Sequence, residues 1–118
     1  MPKIKICGVN NLEFALEAER LGANYLGFIL VPGTPRFVTA EFVEECLAHL
    51  QGTAQPVLVF RDIRVLRDFR DLSRFIAQVH KKATKEELDA VAALGFREVW
   101  SLNGGAVRDG ILYDTSHT

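Results

Sequence analysis

Short apolar runs alternate with longer amphipathic segments along nearly the whole of this chain, and that rhythm restricts the fold more than any single motif. Runs of about four to six apolar residues read as strands, and segments of about ten to fourteen as helices. This alternation builds parallel sheets through helical crossovers. IKIC is the first run. NNLEFALEAERLG follows, with Asn10 or Asn11 able to cap its start, Leu12, Ala15, Leu16 and Leu21 on one side, and Gly22 as a stop. NYLGFILV is almost continuously apolar, as a strand covered on both faces should be.

The prolines and glycine of PGTPRFV mark a loop, and Thr39 opens a second helix whose stripe is Phe42, Val43, Cys46, Leu47 and Leu50. PVLVF predicts a third strand. RDIRVLRDFRDLSR predicts a third helix with Val65, Leu66, Phe69 and Leu72 inward. FIAQVH is a fourth strand, TKEELDAVAALG a helix capped by Thr84, REVWSLN a fifth strand and GILYDTS a sixth. The stretch from Gly104 to Gly110 breaks the rhythm, because a parallel crossover takes a dozen residues or more. Either that unit has lost its helix or the sixth strand pairs differently. Length favours an open doubly wound parallel sheet, which suits roughly 120 residues, over a closed eight-stranded barrel of about 200 to 250.

At 118 residues the chain has room for one domain, residues 1–118, and 48% hydrophobic with 25% charged residues suits a folded core. A formal charge of -1 offers no field for nucleic acid or an anionic membrane. No apolar run approaches the ~20 residues needed to span a bilayer. Two cysteines, Cys7 and Cys46, and no basic leader before Lys3 give the expectation of a reduced, cytoplasmic protein.

Cys7 ends the first strand, and Lys5, two residues earlier, points to the same side. Read alone, a cysteine is usually a small buried hydrophobe, which is the reading for Cys46 on its helix stripe. Arg61, Arg64, Arg67, Arg70 and Arg74 are interleaved with Asp62, Asp68 and Asp71, so a solvated, ion-paired face explains them. The glycines before Ile111 read as a tight connection rather than a phosphate cradle, since no helix start follows them. No strand leads into a nucleotide fingerprint such as GxGxxG, which disfavours a nucleotide-binding open sheet.

Five short matches in order, KICG at the first strand, GF and then PRFV after the second, VLVF, QVH and LYDT, resemble the phosphoribosylanthranilate isomerase family of tryptophan biosynthesis. They run over most of this chain but cover only the first part of that family's pattern. HKK stands where His-Gly is usual, and the stretch before Ile111 is short. The resemblance implies an incomplete (β/α)8 barrel of about six strands and an Amadori rearrangement of a phosphorylated aminoaldose without a cofactor or metal. It further implies Cys7 as general base, Asp114 as general acid and Arg36 as a two-point ligand for the anthranilate carboxylate. Lys5 and His80 take weaker substrate-side roles, Lys5 as a partner deep in the barrel and His80 as a polar lining residue.

Five or six barrel strands leave two open edges and an apolar interior. Homo-oligomerisation or association through those edges is therefore expected. The competing reading is a truncated, inactive relative that serves as a scaffold or association module.

Overall fold

The computed structural model describes residues 3–101 and, for the backbone alone, residues 111–113. Its elements follow the sequence rhythm: β1 (Lys3–Cys7), α1 (Leu12–Arg20), β2 (Tyr25–Ile29), α2 (Ala40–His49), β3 (Gln55–Phe60), β4 (Ile76–Val79), α3 (Lys85–Ala92), β5 (Glu98–Ser101) and β6 (Ile111–Tyr113). All strand pairs are parallel, in the order β5-β4-β3-β2-β1-β6. The sixth strand does pair differently: it lies against β1, with Lys3 opposite Ile111 and Lys5 opposite Tyr113. Among the described residues the sheet ends at β5 on one side and β6 on the other.

Helix starts are fixed by side chains that accept from backbone amides the helix itself leaves unpaired. Asn11 accepts from Phe14 at 2.7 Å and Thr39 from Phe42 at 3.1 Å. Thr84 and Glu87 satisfy each other's backbone amides in a capping box. The inward face of α1 matches expectation at Leu12, which packs against the core, and at Ala15, and differs elsewhere. Ala15, Ala18 and Glu19 are buried, whereas Leu16 and Leu21 are exposed. Small residues let the helix lie close to the sheet, and the leucines project from its flanks. On α2, Val43 and Cys46 are buried and Phe42, Leu47 and Leu50 pack against the core.

The predicted third helix is replaced by two short 3-10 turns, Ile63–Asp68 and Leu72–Arg74. Asp62 accepts from the Arg64 amide at 2.9 Å and Asp71 from the Ser73 amide at 3.0 Å. Such local side-chain bonds compete with an α-helical ladder. Leu66 and Phe69 still reach the core, while Val65 and Leu72 pack at its edge.

Burial separates the two faces of the sheet. Leu26, Phe28, Leu58, Phe60, Ala77 and Val79 pack in one cluster that also contains Ala15 and Ala18 of α1, Val43 and Cys46 of α2 and Val91 of α3. Cys7, Tyr25, Ile29, Val57, Val59, Ile76 and Trp100 form a second cluster with no helical residue in it. A doubly wound sheet carries helices on both faces, so the open-sheet alternative is set aside. The second face is buried because the sheet curls on itself. Tyr25 and Trp100 sit three strands apart, about 14 Å in a flat sheet, yet their ring centroids are 5.2 Å apart. One helix-covered face and one concave face are the geometry of an incomplete (β/α)8 barrel. Among the described residues no helix is long and apolar enough to cross a membrane.

Candidate active site at the C-terminal ends of the strands

Parallel registers put Cys7, Gly27, Val57 and Ile76 in one row across the concave face, with Ile29, Val59, Gln78 and Trp100 in the next. The second row lies toward the C-terminal ends of its strands, and Cys7 is the last residue of β1; barrels of this class assemble their sites at those ends.

Cys7 and Lys5 share a space that exists because residue 27 is glycine. A Cβ placed on Gly27 would stand 2.9 Å from Cys7 Sγ, 3.2 Å from the Cys7 Cα and 3.2 Å from Lys5 Nζ. Cys7 Sγ and Lys5 Nζ therefore both lie against the bare backbone of β2 at Gly27. Both residues are almost fully buried, at 1% exposure each. Directly after the sulfur the chain turns away through left-handed backbone at Gly8 (φ 89°), and the amides of Gly8 and Val9 both donate to the Gly27 carbonyl at 3.0 Å. The motif KICG thus ends its strand and anchors it to β2 in one step. Sequence reading used Gly27 only as a family match. Its spatial role depends on the Cys7–Gly27 register, which no local pattern reveals.

Arg36 is carried by a loop that folds back on β2. Thr34 Oγ1 donates to the Val31 carbonyl at 2.8 Å, the Phe37 amide donates to Thr34 at 3.2 Å, and the Val38 amide donates to Ile29 at 2.9 Å. This brings Arg36 and His80 to one cleft of about 130 Å³, whose floor includes Ile29, Val31 and Val59. The His80 amide donates to Phe60 at 2.7 Å, fixing its place just beyond β4. Burial, then the positive charges of Arg61 and Lys5, hold the His80 imidazole below its ordinary value of 6.5. It is a neutral ring in a basic setting.

Gln78 was not anticipated as a site residue. It lies two residues before His80 on the concave side of β4, between Val59 and Trp100. Gln78 Oε1 and His80 Nδ1 are both buried, and neither has a hydrogen-bond partner among the described residues.

The structure brings Lys5 and Cys7 together at Gly27, and Arg36 and His80 together at the rim. Asp114 lies outside the described residues. Cys46 packs under α2, where burial and then the charge of Glu45 push its thiol up to about 11, so it stays protonated at neutral pH. Among the described residues no group of three or more His, Cys, Asp or Glu is placed to hold a metal ion.

Fold and site together define a class: an incomplete parallel β/α barrel with Arg36 and His80 on a largely apolar cleft near the C-terminal strand ends. Within that class the chain is similar to phosphoribosylanthranilate isomerases. It is 32% identical over 91 residues to N-(5'-phosphoribosyl)anthranilate isomerase of Sulfolobus acidocaldarius, covering 77% of this chain and 45% of that protein. The crystal structure of the Thermus thermophilus phosphoribosyl anthranilate isomerase superposes with a TM-score of 0.72 at 32% identity, over 95% of this chain and 62% of that one. A further isomerase, solved in complex with reduced 1-(o-carboxyphenylamino)-1-deoxyribulose 5-phosphate, gives a TM-score of 0.70 at 26% identity, over 86% and 53%. No family model matches the chain. The chain spans about half the length of the curated relatives it matches.

Proposed function

We propose that this chain carries the acid–base part of a phosphoribosylanthranilate isomerase site. Asp114 donates a proton to the furanose ring oxygen as the ring C1–O bond breaks, and the nitrogen lone pair forms a C1=N bond. Cys7, in its thiolate form, removes the C2 proton, and the C2–H electrons form the C1=C2 bond of an enolamine as the C1=N electrons return to nitrogen; a proton then adds at C1 and the C2 hydroxyl proton leaves, giving the aminoketose. Hydrogen moves from C2 to C1 within one molecule, so no external oxidant or reductant enters. Arg36 takes the anthranilate carboxylate by a two-point contact. Lys5 offsets the negative charge of the sulfur, and neutral His80 lines the carboxylate side.

The observation that carries this reading is the placement of Cys7 Sγ and Lys5 Nζ both against Gly27 on a concave face whose rim holds Arg36. The isomerase solved with a reduced carboxyphenylamino sugar phosphate supports the substrate class. A direct test follows the loss of substrate fluorescence as phosphoribosylanthranilate isomerises. Turnover above the buffer rate supports the reading, and a rate equal to buffer contradicts it.

A second reading rests on the two sheet ends among the described residues, β5 and β6. Unpaired strand edges template association, so copies of the chain are proposed to associate through them. Light scattering on the purified chain tests this: a dimer or larger assembly supports it, and a monomer at all concentrations opposes it.

A further inference from the structure

The isomerase reading gives Arg36 the ligand's carboxylate and leaves Gln78 without a task. Gln78 and His80 stand two residues apart on the same side of β4, next to the cleft that holds Arg36. Each presents a covered polar atom, Oε1 and Nδ1, that no described residue satisfies. Buried polar groups without partners are rare, and an individual case calls for a reason. Both residues are themselves partly exposed. A half-turn of the Gln78 amide exchanges its oxygen for its NH2 with the same shape, and no described contact to Oε1 opposes that turn. The amide is thus left for a ligand to set.

We propose that Gln78, with His80 beside it, positions the hydroxylated chain of the ligand. The partner that suits the amide in either orientation and the neutral imidazole in either tautomer is one that can both donate and accept. Sugar hydroxyls do so, whereas a carboxylate or phosphate only accepts. Three of the groups nearest this strand's C-terminal end, Lys5, Arg36 and Arg61, are cations suited to the ligand's charged groups. Gln78 therefore complements them by reading the neutral part of the molecule. The proposal rests on the isomerase reading for its ligand class and adds a positioning residue to it.

The test uses the whole chain and two synthetic probes, N-pentylanthranilate and N-(1-deoxyribityl)anthranilate, which share the carboxylate and differ in chain hydroxyls. Titration calorimetry compares wild type with Gln78→Leu, and thermal unfolding is recorded for both. The expected result has the wild type binding the ribityl probe about tenfold more tightly than Gln78→Leu does, as the loss of one well-made hydrogen bond implies. The pentyl probe binds both equally, and the unfolding midpoint of Gln78→Leu is unchanged or raised, since an unpaired buried group has been removed. Unchanged ribityl binding in Gln78→Leu overturns the assignment and leaves the isomerase reading standing. Equal weakening of both probes with a lowered midpoint also overturns it, in favour of a structural role. A wild type that binds neither probe overturns the isomerase reading and this assignment with it.

Discussion

Tyr25 on β2 meets Trp100 on β5 edge to face, with ring centroids 5.2 Å apart and planes at 74°. The contact closes the concave face across two intervening strands and buries Trp100 completely. Trp100→Ala is expected to cost about 3–5 kcal/mol of stability, as for other large aromatics removed from cores. Trp100 is the one tryptophan of the chain, so wild-type unfolding is read from its fluorescence and the variant's from far-ultraviolet circular dichroism.

Glu19 ties α1 to the loop before β3. Its carboxylate accepts from the amides of Gln51, Gly52, Thr53 and Ala54 at 2.7 to 3.1 Å. Burial pushes its proton affinity up, but the amide bonds together outweigh burial and leave it below the ordinary value of 4.5. A carboxyl lowered in the folded state contributes stability above its unfolded value and loses it as pH falls through the folded one. Glu19→Gln should lose about 1–3 kcal/mol at neutral pH. It should also show a shallower fall in stability below about pH 4.5. Denaturant melts at a series of pH values check both.

Gly27→Ala places a methyl group 2.9 Å from Cys7 Sγ, with the Cys7 backbone and Lys5 Nζ each at 3.2 Å. Backbone cannot yield cheaply, so about 1–3 kcal/mol of stability should be lost by overpacking. Turnover should fall by more than tenfold, because the sulfur and the ammonium are displaced from Gly27. Denaturant melts and the fluorescence assay measure the two effects on one preparation.

His80 is lowered from 6.5 by burial, Arg61 and Lys5. The unfolded chain therefore takes up the proton first as pH falls, and stability declines from about pH 6.5 down to the folded value. Above that window both states are neutral and His80 contributes no pH dependence. His80→Gln should flatten this part of the stability profile, as measured by denaturant midpoints between pH 7 and pH 5.

Strand positions and caps were legible because they are local: Asn11, Thr39 and Thr84 cap helices by bonding three residues ahead. The segment from Arg61 to Arg74 was misread because Val65, Leu66, Phe69 and Leu72 fit a helical stripe, while Asp62 and Asp71 favour shorter turns. Leu16 and Leu21 looked inward by hydrophobicity, yet Ala15 and Ala18 lie closest to the sheet. The sequence offered Lys5, Cys7, Arg36 and His80 as candidates near strand ends, and the structure places the first two at Gly27 and the last two on one cleft. Gly27 and Gln78 were not legible, since their meaning comes from pairing with β1, β3 and β5. The family resemblance pointed to the barrel where length favoured the open sheet, and the one-sided helices agree with it.

In the proposed reaction Cys7 Sγ, beside Gly27, takes the C2 proton and the Asp114 carboxyl supplies one to the ring oxygen. The most direct measurement is phosphoribosylanthranilate turnover by wild type, Cys7→Ala and Asp114→Asn, each shown to be folded. The account predicts wild-type turnover that falls at least about 100-fold in either variant. Wild-type rates in Cys7→Ala would contradict it.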